Sequence, residues 1–101
     1  MSNFHDLIEA ARRLAILKAL AGTEDYTLPE GEARDRLRVL GPPVFPSGDM
    51  MAVSTVWLDD AGLIMRRKVG ATALLILTTR GLDVAEGSAT VPGVEPARPG
   101  A

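Results

Sequence analysis

The segment Gly41-Pro42-Pro43-Val44-Phe45-Pro46-Ser47-Gly48 constrains the fold more than any other stretch of the chain. Proline lacks a backbone N–H and its ring clashes with the preceding helical turn, so no helix runs through prolines and glycines set this close together. The chain must turn here, and helix-forming sequence lies on both sides. Upstream, Phe4, Leu7, Ile8, Ala11, Leu14, Ala15, Leu17 and Leu20 recur at three- and four-residue steps, which predicts an amphipathic helix from Asn3 to Leu20. Ser2 or Asn3 caps it and Gly22 ends it. Its polar face carries Glu9, Arg12, Arg13 and Lys18, with Glu9 and Arg13 spaced for an i,i+4 pair. A short extended segment, Asp25 to Leu28, precedes a second helix that Pro29 opens and that runs to about Leu40. Glu30 and Glu32 near its start and Arg34, Arg36 and Arg38 toward its end suit the helix dipole.

Downstream of the turn, Ser47 caps a third helix from Gly48 to about Asp60, and Gly62 is placed to take the left-handed position that closes it. Leu63 to Arg67 and Thr72 to Leu77 read as two strands, and the intervening Lys68 to Ala71, with Gly70, reads as the turn of a β-hairpin. Thr78 caps a last short helix, Thr79 to Glu86, closed at Gly87. Residues 88–101 contain Pro92, Pro96 and Pro99 among Gly and Ala, and are expected as an extended or disordered tail beside a domain of residues 1–87. The order helix, short strand, helix, turn, helix, hairpin, helix is α+β. It matches a winged helix-turn-helix, with a three-helix core, a β-hairpin wing and a short C-terminal helix.

Two junctions carry a resemblance. Leu58-Asp59-Asp60-Ala61-Gly62-Leu63-Ile64 resembles the helix-to-wing joint of bacterial winged-helix regulators, and Leu77-Thr78-Thr79-Arg80-Gly81 resembles their wing-to-helix joint. Extended over Thr78 to Gly87, the stretch Ala89-Thr90-Val91-Pro92-Gly93-Val94, the opening Arg13 to Ala21 and Tyr26-Thr27-Leu28, the chain is similar over nearly its full length to small winged-helix proteins of Mu-like prophages. The resemblance implies a winged-helix fold, a phage context and a proline-containing tail as a family feature. It supplies no mechanism.

Composition narrows the function classes. A chain of 101 residues is one domain's worth, and 11 basic against 13 acidic side chains, a formal charge of -2, exclude a chromatin-type basic binder. With no Cys, disulfide frameworks, zinc ribbons and thiol nucleophiles are excluded, and a staple-free domain of this kind is expected in the cytoplasm. Met1 to Asp6 has no basic leader character and no stretch reaches the ~18 apolar residues of a membrane span, so neither export nor a membrane partner is expected. The single His, His5, lies four residues from Glu9 at a helix end, and two ligands there do not make a metal site. No GxSxG, phosphate-binding loop or HExxH occurs. The expectation is a protein that is not an enzyme, with no cofactor and no small-molecule substrate.

What remains is binding, and the third helix decides what kind. In a DNA-reading winged helix this element enters the major groove and presents side chains that reach base edges, while the wing meets the backbone. Here Gly48 to Asp60 contains no basic residue, and Asp49 and Asp59 repel phosphate. Relatives are expected to carry Arg in this helix, so the departure weighs against direct base readout. Ser54 and Thr55 are the polar candidates nearest the bases, although Thr55 also falls with Met51 and Leu58 on the inward side. Arg66, Arg67 and Lys68 at the hairpin turn, with Arg34 and Arg38 of the second helix, are the candidates for the DNA backbone. The leading expectation is therefore a DNA-binding or transcription-associated phage factor, acting as a homodimer on double-stranded DNA. The alternative is protein association through Met50, Val53, Val56 and Trp57, of which Trp57 reads equally well as core.

Overall fold

The computed structural model describes residues 3–98; the alternative cap Ser2 and the last three residues of the tail lie outside them. The first helix, α1 (Phe4–Ala21), is capped by Asn3, whose side chain accepts from the Asp6 N–H. It buries Leu14, Ile16, Leu17 and Leu20. Phe4 and Leu7 share the apolar period but project beyond the body and stay exposed. A three-residue strand, β1 (Thr27–Pro29), leads into α2 (Glu30–Arg36). Pro29 thus ends the strand and stands at the helix cap instead of opening the helix. The expected single helix to Leu40 is shorter: after Arg36 the backbone tightens into a 3-10 turn, Leu37–Leu40, that stops at Gly41 with φ +64°. Leu37 turns into the core while Val39 and Leu40 stay outside.

The proline segment then crosses to α3 (Gly48–Asp60), and Ser47 accepts from the Met50 N–H as its cap. Gly62, at φ +78°, takes the left-handed position beyond the helix, a conformation that costs a residue with a Cβ. The hairpin strands are β2 (Ile64–Val69) and β3 (Thr72–Leu77), and α4 (Thr79–Glu86) follows behind its cap Thr78. The strands form one antiparallel sheet in the order β1-β3-β2, with Leu28 opposite Leu75 and Arg66 opposite Leu75 on the other side. Among the described residues this is a mixed α+β architecture of four α-helices and a three-stranded sheet.

One sheet face packs on the helices: Ala73, Leu75 and Leu77 of β3 and Ile64 of β2 join Leu17, Leu20, Leu37, Met51, Leu58 and Val84 in a single core. Because β2 runs to Val69, Arg66, Arg67 and Lys68 lie along the strand and not at the turn, which is Gly70-Ala71. Alternation then sends Arg66 to the helix side and Arg67 to the opposite face. The described part of the tail is irregular, and it packs: Val94 and Ala97 are buried and the Glu95 N–H donates to the Ala10 carbonyl of α1. No helix of the described residues is long and apolar enough to cross a membrane.

Candidate functional site

The exposed surface of α3 is set by its helical period. Met51, Ser54, Thr55 and Leu58 are buried against the sheet and the neighbouring helices. On the opposite side, Asp49, Val53, Val56 and Asp60 recur at steps of four, three and four and so form one stripe about 16 Å long. Val53 is 55% and Val56 44% exposed, and both aspartates at the ends of the stripe are exposed. Met50 flanks it, half-buried. The stripe therefore has an apolar centre with a negative charge at each end.

Ser54 and Thr55 do not face outward as a base-reading role requires. They are 2% and 0% exposed, and that expectation is overturned by the turn of the helix, which puts them beside Met51 and Leu58. Thr55 has a structural role instead, since its hydroxyl donates to the Glu30 carboxylate. Arg66 completes this cluster: its Nε donates to Glu30 Oε1 at 2.9 Å and to Thr55 Oγ1 at 3.1 Å, and Nη2 reaches Glu30 Oε2 at 3.3 Å. Both side chains of the ion pair are mostly buried. Burial alone would raise the Glu30 carboxyl. The hydrogen bonds from Arg66 and Thr55 and the charges of Arg66 and Lys68 outweigh it and hold the group below the ordinary carboxylate range. The hydrogen bond to Glu30 stabilises the Arg66 guanidinium in turn, against the cost of its own burial. Arg66 is thus a paired strut joining β2, α2 and α3.

The other expected backbone arginines are also engaged. Arg34 donates from Nε to the Pro46 carbonyl at 2.8 Å and lies 4.7 Å from the Phe45 ring centre. Arg38 pairs with Asp35 at 3.1 Å and lies 5.0 Å from the same ring. Two further arginines, on the polar face of α1, serve the fold. Arg12 is 5% exposed and donates to the carbonyls of Val44 and Pro43, fastening the proline segment to α1. Arg13 stacks 3.9 Å above the Trp57 ring and donates to the Gly93 carbonyl. That stack, with the tail above it, covers Trp57, so of the four expected contact residues Met50, Val53 and Val56 remain at the α3 surface and Trp57 belongs to the packing. Of the 11 basic side chains, Arg12, Arg13, Arg34 and Arg66 are held by intramolecular partners, Arg38 is in an exposed surface pair, and the exposed hairpin cations are Arg67 and Lys68, on opposite faces of β2.

Beside α1 a groove of about 610 Å³ runs between Asp6, Glu9, Arg13, Trp57 and the tail from Gly93 to Glu95. His5 and Glu9 approach within 3.3 Å at its outer end. Among the described residues no three His, Cys, Asp or Glu side chains converge as a metal would need.

Compared with known proteins, the chain is 34% identical over 95 residues to the uncharacterized protein gp26 of Escherichia phage Mu, an alignment covering 94% of this chain and 96% of that protein. No family model and no solved structure matches the chain.

Proposed function

The chain belongs to the family of gp26 of phage Mu, and we propose that it is a non-catalytic winged-helix protein of a Mu-like phage that works by protein association through α3. The winged-helix reading is supported by the element order and by the β1-β3-β2 sheet, whose two outer strands flank the C-terminal strand of the hairpin. The observation that carries the association reading is the stripe Asp49-Val53-Val56-Asp60, exposed, apolar at its centre and free of cations. An exposed apolar stripe along a helix favours removal from water by another protein surface.

Duplex reading finds less support at the same place. Phosphate binding needs cations beside α3, and Arg66 is spent on Glu30 while Arg34 is spent on the proline segment. Glu32, Asp49, Asp59 and Asp60 are exposed on α2 and α3. Of the residues expected on the DNA backbone, Arg67 and Lys68 are the exposed ones without an intramolecular partner among the described residues, and they would contact backbone without specifying sequence.

Sedimentation velocity of the full chain, set beside titration into a fluorescently labelled DNA duplex at low salt, tests the reading. The expected result is concentration-dependent association that Val53→Glu abolishes in a folded protein, with no saturable duplex binding. Duplex binding lost on changing Arg67 and Lys68 to Ala, or association indifferent to Val53→Glu, overturns it.

A further inference from the structure

We propose that the occupant of the α3 stripe is a second copy of this chain, docked through the patch formed by Val39, Leu40, Lys18 and Arg36; the inference rests on the association reading of α3. The patch is the inverse of the stripe. The 3-10 turn leaves Val39 88% and Leu40 50% exposed, side by side. Beside them a hollow of about 260 Å³ opens against Ala15 and Ala19 of α1. Lys18 and Arg36 stand on its rim, both exposed, and neither is in an ion pair among the described residues. The stripe therefore offers valines between two aspartates, and the patch offers valine and leucine beside two cations.

Charge decides between the possible pairings. Two α3 stripes crossing antiparallel bring Asp49 of one copy toward Asp60 of the other, and two patches facing each other bring cation onto cation. Both pairings are like-charge and lose specificity and affinity. The groove beside α1 is rimmed by Asp6, Glu9 and Glu95, the same sign as the stripe. The hairpin carries Arg67 between Met65 and Val69, a cation between apolar neighbours, with Lys68 on the other face. Of these described surfaces, the stripe and the patch match in both apolar centre and rim. They are different surfaces of one molecule, so the contact is heterologous, and each bound copy presents a free stripe or a free patch to the next. Such contacts close into rings or extend as filaments.

Charge reversal tests the docking on the full chain by sedimentation velocity, with circular dichroism as the folding control. Asp60→Lys and Arg36→Glu alone should each weaken association by about tenfold or more, like charges now meeting across the contact. An equimolar mixture of the two should associate again, because the reversed stripe of one variant meets the reversed patch of the other. Val39→Glu should weaken association as Val53→Glu does. If Val53→Glu dissociates the protein while Val39→Glu and Arg36→Glu sediment like wild type, this docking is overturned and the α3 reading stands. A wild-type chain that stays monomeric at every concentration also overturns the docking, and duplex binding that depends on Arg67 and Lys68 overturns the α3 reading itself.

Discussion

Glu30 joins three elements through two neighbours far away in sequence, and its titration follows from that position. In the unfolded chain its carboxyl returns to about 4.3, whereas in the fold Arg66 and Thr55 hold it lower in spite of burial. A carboxyl depressed in the folded state contributes stability that is fully present above its unfolded pKa and is lost as pH falls through the folded value. Urea midpoints should therefore fall as pH is lowered from about 5. In Glu30→Gln the Arg66 guanidinium keeps only a neutral acceptor, so stability at neutral pH should fall by about 1–2 kcal/mol, with a flatter acid limb. A Glu30→Gln profile parallel to wild type below pH 5 would remove this account. Arg12 acts at the same scale. Burial lowers its pKa, the nearby Glu9 partly offsets this, and its Nη1 has no partner. The side chain nevertheless ties the carbonyls of Pro43 and Val44 to α1. Arg12→Leu relieves the desolvation but releases the proline segment, for a net loss of about 1–3 kcal/mol measurable by urea unfolding.

Among the elements, the start of α4 has the least room. A Cβ built on Gly81 would lie 1.9 Å from the Leu63 carbonyl oxygen and 2.8 Å from Leu77 Cδ1, so any side chain forces backbone apart at the joint between α3, the hairpin and α4. Gly81→Ala should cost about 3 kcal/mol, visible as a lower thermal midpoint, whereas the same change at Gly31, where a Cβ meets nothing within 4 Å, should be neutral or mildly stabilising. Equal effects at the two sites would show that the close approach does not govern stability. Local signals of this kind explain what was legible in sequence. Asn3, Ser47 and Thr78 cap the helices because a cap acts over three residues, and Gly62 and Gly87 stop them because the left-handed conformation is a property of one residue. Leu14, Leu17 and Leu20 of α1 are buried as its period predicts, while Arg12 and Ile16 are buried from outside the predicted stripe. The break of α2 at Leu37 leaves no local signal, because Arg36 and Leu37 suit a helix as well as a 3-10 turn. Ser54 and Thr55 have side chains that suit bases, but the phase of α3 against the sheet, a tertiary matter, turns them inward. The Glu30–Arg66 pair spans 36 residues and the Arg13–Gly93 bond spans 80, distances over which a sequence pattern carries no register.

At the scale of the whole molecule, a formal charge of -2 conceals an uneven distribution, with aspartates along α3 and cations around Val39. The same scale holds the least anticipated packing, that of the tail. Proline and glycine from residue 88 onward suggested a segment apart from a domain ending at 87, yet Val94 and Ala97 enter the core from it. Gly93 makes this possible: at φ +92° its Cα passes so close to Trp57 that an added Cβ would lie 2.6 Å from Cζ2 of the ring. Arg13 completes the contact, its guanidinium over the indole and its Nη1 on the Gly93 carbonyl. Truncation after Gly87 therefore removes two buried apolar residues and the cover of the tryptophan, a loss of about 2–4 kcal/mol. Gly93→Ala should undock the tail with much of that loss, since the new methyl meets both an unfavourable φ and the ring. Both variants should shift the fluorescence of the single tryptophan to the red as water reaches it. Trp57 lies outside the Asp49-Val53-Val56-Asp60 stripe, so a Gly93→Ala protein still folded at low temperature should self-associate as wild type does. An unshifted tryptophan spectrum in the truncated chain would mean that the tail does not cover Trp57 in solution. A shifted spectrum together with lost association would extend the contact surface from the stripe to the tail.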